Sequence, residues 1–398
     1  MTNLPQGWEV KKLEKIANIK GGKRLPKGEN LLDNNTKFAY IRVADFQDNG
    51  TINLQNIKFI NENTYNVLKN YKIYDDNLYI SIAGTIGKSG IIPKELNGAI
   101  LTENAVKLEY IQNNISNKFM YFFTLSNIFK TQIQTSTKIV AQPKLAITRL
   151  KQIQIPLPPL KEQERIVGIL DESFAKIDES IKILEQDLLN LDELMQSALQ
   201  KAFNPLKDNA KENYKLPQSW EWKSLEEISE NISAGGDKPK NCTESKTAKN
   251  QIPVYANGVN NNGLVGYTDK ATIIKPSLTI SARGTIGFVC IRKEPYFPIV
   301  RLISLIPCEN ILCLHYLYFC LNFFIAKGEG SSIPQLTIPK FKSLQIPLPP
   351  LKEQEQIAEH LDFVFEKAKA LKELYTKELK DYEELKQSLL DKAFKGEL

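Results

Sequence analysis

The chain has 398 residues, enough for two domains with cores of their own. Its 42% hydrophobic and 25% charged residues are ordinary for a soluble globular protein. The 52 Lys and Arg outnumber the 46 Asp and Glu to leave +6, which permits a nucleic-acid partner without requiring one.

Residues 1–19 lack the apolar segment of a signal peptide. The longest apolar run, Ile311 to Ala326, is interrupted by His315 and Asn322 and is too short to span a membrane, so it reads as a buried helix. Five cysteines, an odd count without metal-like pairing, fit reduced thiols and a cytoplasmic location. Cys308, Cys313, His315 and Cys320 lie on an apolar stretch and read as core packing, with no metal site.

In chain order, Leu4-Pro-Gln-Gly-Trp8 opens a first unit, with the Trp expected to anchor a short helix, and Gly21-Gly22 follows. Strand-like runs come next at Phe38–Val43, Gly50–Ile52 and Asn77–Ile82, broken by Asn, Asp and Gly. Ile80-Ser-Ile-Ala-Gly-Thr-Ile-Gly87 is a glycine-rich turn without the Gly-Lys-Ser/Thr of a nucleotide loop. It reads either as a hairpin turn or as a DNA-facing loop, and Lys88 favours the second. An apolar helix over Lys118–Lys130 and a polar loop from Ser136 to Ile147 close the unit.

Then comes Gln154-Ile-Pro-Leu-Pro-Pro-Leu-Lys-Glu-Gln-Glu164. Pro156, Pro158 and Pro159 cannot continue a sheet ladder or sit inside a helix, so they predict a stiff extended exit. The acidic residues after Leu160 begin a helix, where the macrodipole favours them. Val167, Leu170, Phe174, Ile177, Ile181, Leu184, Leu188, Leu191, Met195, Ala198 and Ala202 alternate spacings of three and four, a heptad seam.

After a Lys/Asn-rich linker at 205–215 the whole pattern starts again. Leu216-Pro-Gln-Ser-Trp220, Gly235-Gly236, Ile252–Tyr255, Gly263–Tyr267, Ser277–Ser281 and the turn Ile280-Ser-Ala-Arg-Gly-Thr-Ile-Gly287 repeat the first series. An apolar helix over Leu312–Lys327 and a polar loop from Ser331 to Ile338 follow. Gln345 to Glu355 repeats residues 154–164 letter for letter, an offset of 191 (345 − 154) that runs without a gap to Phe203 and Phe394. A second seam passes through Leu361, Val364, Ala368, Leu371, Tyr375, Tyr382, Leu385 and Leu389. A period this long means two domains, not a solenoid. Between Trp-containing opening and exit, the second interior is 21 positions shorter than the first (150 − 129), so the interiors drift while the helices do not.

Each helix runs about 60 to 70 Å at 1.5 Å per residue, while the linker reaches at most about 40 Å. A parallel pair would force the second domain to return most of a helix length; an antiparallel pair would not. The expected fold is therefore α+β: two β-rich globular domains and two long helices forming an antiparallel coiled coil, with pseudo-twofold internal duplication. The boundaries read are 1–155 for the first domain and 156–204 for the first helix. The second domain takes 205–346, including the linker, and the second helix 347–398.

The chain has two histidines and no glycine-rich cofactor fingerprint, methyltransferase motif or zinc spacing, so no catalytic residues are assigned. The doubled Pro-Leu-Pro-Pro-Leu-Lys-Glu-Gln before a long helix, with the Gly-Thr-Ile-Gly turn and the Leu-Pro-x-x-Trp opening, resembles the specificity subunit of bacterial type I restriction–modification enzymes. The resemblance covers essentially the whole chain. It implies two target recognition domains, each reading one half of a split, asymmetric double-stranded DNA site, spaced by the helices. It also implies two docked methyltransferase subunits, with restriction subunits completing the nuclease. S-adenosylmethionine and ATP would belong to those partners, leaving this chain without a cofactor. The alternatives are a coiled-coil scaffold for two protein partners and a fused DNA-modifying enzyme.

No base-contacting residue follows from the motifs. From the loops themselves, the candidate DNA-binding residues are Lys23, Arg24, Lys88, Lys138 and Lys144 in the first unit. In the second they are Lys238, Lys240, Arg283 and Lys340, with Arg283 the candidate for base readout.

Overall fold

The structure is a computed structural model and describes residues 4–136, 144–203, 216–325, 328–329 and 336–398. It divides into two compact units, Met1–Leu184 with Lys377–Leu398, and Glu185–Thr376. Each unit thus owns one part of each long helix.

In the first unit the strands Ala17–Gly21, Ala105–Tyr110, Leu78–Ser81 and Ser89–Ile91 form an antiparallel sheet in that order. A second, mixed sheet joins Lys58–Phe59, Ala39–Ile41, Ala99–Leu101 and Lys72–Ile73. Helix Asn117–Leu125 covers the first sheet with Phe119, Met120 and Phe123, all fully buried. The apolar run expected as one helix is two. The Ser126 hydroxyl donates to the Phe123 carbonyl at 2.7 Å and accepts from the Phe129 N–H at 3.3 Å, ending one helix and capping the next, Asn127–Ser136. The run expected as a strand at Gly50–Ile52 makes only an isolated bridge between Phe46 and Ile52.

The second unit repeats this plan. Strands Ser229–Ala234, Ile303–Pro307, Ser277–Ile280 and Val289–Arg292 form the antiparallel sheet, beside a three-stranded one of Leu264–Thr268, Ile252–Tyr255 and Phe297–Pro298. Helix Leu314–Phe324 lies over the first sheet, with Tyr316, Leu317, Phe319, Cys320 and Leu321 buried. It begins two residues later than expected, after Cys313.

The proline-rich exits differ from expectation in that each is itself a ladder strand. Gln154–Leu157 pairs antiparallel with Glu9–Lys12, and Gln345–Leu348 with Glu221–Ser224. A ribbon of two strands is all edge, which is where proline is tolerated. Each Trp directly precedes one of these strands. In the first unit the short helix Leu13–Ile16 follows, and Trp8 packs on the core that holds its Leu13 and Ile16, while the Trp220 indole N–H reaches Glu353 Oε1 at 3.1 Å.

Gln163 explains much of the repeated motif. It is 1% exposed, its Oε1 accepts from the Ser116 N–H at 2.9 Å, and its Nε2 donates to the carbonyls of Pro158 and Asn114. Gln354, 0% exposed, makes the same three bonds to the Cys313 N–H and the Pro349 and Ile311 carbonyls. One amide therefore ties the proline exit, the long helix and the loop before the apolar helix into a corner.

The long helices, Leu160–Phe203 and Leu351–Lys395, pack antiparallel as a coiled coil. In the first unit Asp178 meets Lys386 Nζ at 2.5 Å, and Phe394 lies 5.0 Å from Phe119 and 5.4 Å from Phe123. In the second, Asp192 pairs with Lys372, and Phe203 lies 5.6 Å from Tyr316 and 5.5 Å from Phe323. Phe203 and Phe394 occupy the same repeat position (394 − 203 = 191), so each helix ends as the plug of a core.

On the first helix, Leu170, Ile177, Leu184 and Leu191 are buried and Phe174, Ile181 and Leu188 are half-buried. On the second, Leu361 and Ala368 are buried, and Val364, Tyr375 and Tyr382 half-buried. Leu371 and Leu385, expected on the seam, are instead 39% and 45% exposed. Their neighbours Lys372 and Lys386 take the inward places, laying aliphatic stems along the seam while the ammonium reaches an aspartate. Among the described residues no helix is long and apolar enough to cross a membrane.

Candidate nucleic-acid interface

Both Gly-Thr-Ile-Gly turns close hairpins between paired strands, and they are built alike. Gly84 and Gly87 have φ of +75° and +89°, and Gly284 and Gly287 +71° and +80°, a region side chains disfavour. The Gly87 N–H donates to Ser81 and the Gly287 N–H to Ser281, at 2.9 and 3.0 Å. Nothing lies where a Cβ at Gly84 or Gly284 would project, so these tips are open.

Three other segments converge on each turn. In the first unit the Leu145 N–H donates to Ile82, and Lys144 bridges Ala83, so the closing loop lies along the turn. The Ile82 and Ala83 amides donate to Asn104, while Gly22 and Lys23 donate to Ala105 and Leu101, which draws in the double glycine. A Cβ on Gly22 would fall 2.1 Å from the Thr102 carbonyl, so no side chain fits there. In the second unit the Leu336 N–H donates to Ala282, and Val300 and Arg301 donate to Gly236 and Gly235 at 2.8 Å. The Asn257 side chain accepts from the Ala282 N–H at 2.8 Å and donates to the Val300 carbonyl at 2.6 Å, a direct strut between two loops.

The candidate cations are in different states. Arg24 Nε lies 2.7 Å from Glu103, and Lys88 Nζ lies 2.8 Å from Asp48, so both already have carboxylate partners. Burial pushes the Glu103 carboxyl up, but Arg24, its own backbone N–H and Thr102 outweigh that and hold it below the ordinary range. The same contact raises Arg24. Lys23 is exposed, with its ammonium 5.9 Å from the Tyr71 ring centre. Lys144 is exposed beside the turn, and Lys138 lies outside the described residues. In the second unit Lys238, Lys240, Arg283 and Lys340 are exposed, and no ion pair is recorded for them among the described residues. Arg283 and Lys144 are thus at the convergent turns; Lys238 and Lys240 follow the double glycine and Lys340 is on the short helix Ile338–Lys342.

Sequence reading missed the fourth segment, Thr102–Ala105 and its counterpart Ile299–Leu302, because neither has a motif. Arg301 and Glu103 stand in these segments. The one available signal was position: each immediately precedes or follows a central sheet strand.

The family model described as type I restriction modification DNA specificity domain matches twice, over residues 5–188 and 217–380. A type I specificity subunit of Mycoplasma pneumoniae is 29% identical over 357 residues, covering 88% of this chain and 87% of its own length. The specificity subunit of the Escherichia coli type I restriction enzyme EcoBI is 29% identical over 205 residues, covering 50% of this chain and 42% of its own. A chain from a solved type I R-M system assembly superposes with a TM-score of 0.82 at 20% identity, over 100% of both chains.

Proposed function

The chain belongs to the type I restriction–modification DNA specificity family, and from that premise we propose how its parts divide the work of reading DNA. It is a non-catalytic recognition subunit with two target recognition domains, working with DNA and with modification and restriction partners. Each unit reads one half of a bipartite, asymmetric duplex site. The reading surface is the convergence of the double glycine, the Gly-Thr-Ile-Gly turn and the closing loop, with Lys23, Arg24, Lys88 and Lys144 as its cations in one unit and Lys238, Lys240, Arg283 and Lys340 in the other; Lys138 is a candidate on sequence alone. The observation that carries this is the repetition of one backbone frame beneath loops of unlike sequence: common support, separate specificity.

Partner docking is assigned to the long helices. Ile183 and Leu194 are 56% and 52% exposed on the first, and Leu374 and Leu385 are 55% and 45% exposed on the second. Both pairs are 11 residues apart, about three helical turns, and both repeat at the 191 offset (374 − 183 and 385 − 194). Two copies of the same apolar line suit two copies of one methyltransferase subunit. S-adenosylmethionine then belongs to those subunits and ATP to the restriction subunits.

The test is a domain exchange in the assembled complex. Replacing residues 1–150 with the equivalent region of a relative should change one half of the methylated motif and leave the other intact. A change in both halves would show that the units do not read independently.

A further inference from the structure

Val300 and Arg301 both stand in the left-handed region, with φ of +53° and +58°. A β-branched residue there is a backbone outlier, and such conformations persist where the surroundings over-determine them, often at ligand-contacting sites. Here the constraint is explicit: two N–H bonds to Gly235 and Gly236, and the Asn257 amide on the Val300 carbonyl. The backbone approaches so closely that a Cβ on Gly235 would fall 2.6 Å from Ile299 N. All this fixes the backbone from which the exposed Val300 and Arg301 side chains start. Arg301 and Arg283 line one small cleft with Ala234, Leu336 and Thr337, and among the described residues neither arginine is paired with a carboxylate. In the first unit the corresponding segment carries an acid instead, Glu103, which is paired with Arg24.

We propose that Arg301 is a specificity-determining residue of the second unit, recognising a guanine edge beside Arg283, with Asn257 as its positioning residue. The proposal rests on the DNA-reading role assigned above. Two planar forks without carboxylates suit the paired acceptors of guanine in the major groove, the commonest specific contact an arginine makes. The strained turn fixes where the fork starts, and Asn257 couples that position to the loop carrying Arg283.

The test uses the full chain with its methyltransferase partners, with the methylated motif mapped across a host genome. R301G removes the guanidinium while supplying the residue that adopts left-handed φ freely, so its melting temperature should match or exceed that of the parent. Discrimination at one G·C pair in one half-site should fall about tenfold or more, with the other half-site unchanged. R301K keeps the charge but not the fork and should lose the same discrimination while binding a mixed-sequence duplex as the parent does. N257A should weaken discrimination at the same pair. If R301G retains the full motif, the assignment is wrong. Equal weakening at all sequences, with a salt slope reduced by about one, would make Arg301 a phosphate contact and overturn the specificity role. If the parent complex yields no methylated motif and no salt-sensitive duplex binding, the DNA-reading assignment itself falls and takes this one with it.

Discussion

At Gln354, three bonds and complete burial make the side chain irreplaceable by anything apolar. Truncation in Gln354→Ala strands an amide and two carbonyls in the interior, at a cost of about 2 to 4 kcal/mol. Gln163→Ala should cost a similar amount in the other unit. Differential scanning calorimetry checks this, and a loss below about 0.5 kcal/mol would mean water replaces the amide freely. A different residue-scale prediction concerns Glu103. Its folded carboxyl titrates below its ordinary value, so its contribution is present above the ordinary carboxylate range and is lost as pH falls through the lowered one. From about pH 5 down to pH 3 the parent should therefore lose melting temperature more steeply than Glu103→Gln. Parallel curves for the two proteins would rule out Glu103 as a source of that acid sensitivity.

Between the helices, Lys386 is 20% exposed against Asp178 at 63%, and Lys372 is 28% exposed against Asp192 at 63%. Exposed ion pairs contribute only about 0.2 to 1 kcal/mol, so their larger role is to select register. Lys386→Glu should lower stability by about 1 kcal/mol through repulsion of Asp178, and adding Asp178→Lys should restore most of it. Chemical denaturation of the single and double variants measures this; no recovery would mean the pair contributes nothing specific. This is also the scale at which the sequence spoke least evenly. The heptad spacing and the doubled corner motif made the helices and the duplication legible, because apolar periodicity survives drift. Leu371 and Leu385 misled because leucine counts as core wherever it falls, although a lysine one position on can bury its stem. The central strand Ala105–Tyr110 went unread because Lys107 and Glu109 interrupt it. Yet Lys107 is only 4% exposed, bonded to the Lys72 carbonyl and paired with Glu109 at 2.6 Å. The interface loops were readable as glycine-rich turns, but their partners at 102–105 and 299–302 are joined by backbone bonds that leave no trace in composition.

For the molecule as a whole, the helices are the element whose length is held at a constant offset while the domain interiors differ by 21 positions (150 − 129). We expect that length to set the unread gap in the DNA site. Adding one heptad to each helix, after Leu184 and after Tyr375, keeps both seams in phase. Each insertion lengthens its helix by about 10 Å, or roughly three base pairs. The methylated motif of the variant should keep both half-sites and widen its gap, with reduced activity because three pairs also rotate the site by about a third of a turn. An unchanged gap at full activity would show that the helices are not the ruler.

The first unit contains residues that synthesis delivers far apart in time. Leu390, Ala393 and Phe394 fill the same core as Leu13, Phe119 and Phe123, yet the ribosome makes all of 185–376 in between. At about 5 to 20 residues per second, that delay is on the order of ten seconds or more. Throughout it, the N-terminal sheets and helices must wait with an apolar socket open, while the second unit already has every segment it needs. The chain therefore completes its later half before its earlier one. A product stopped at residue 376 would carry a finished second unit and a first unit exposed to proteases and chaperones, so only chains translated through Phe394 escape with both recognition domains intact.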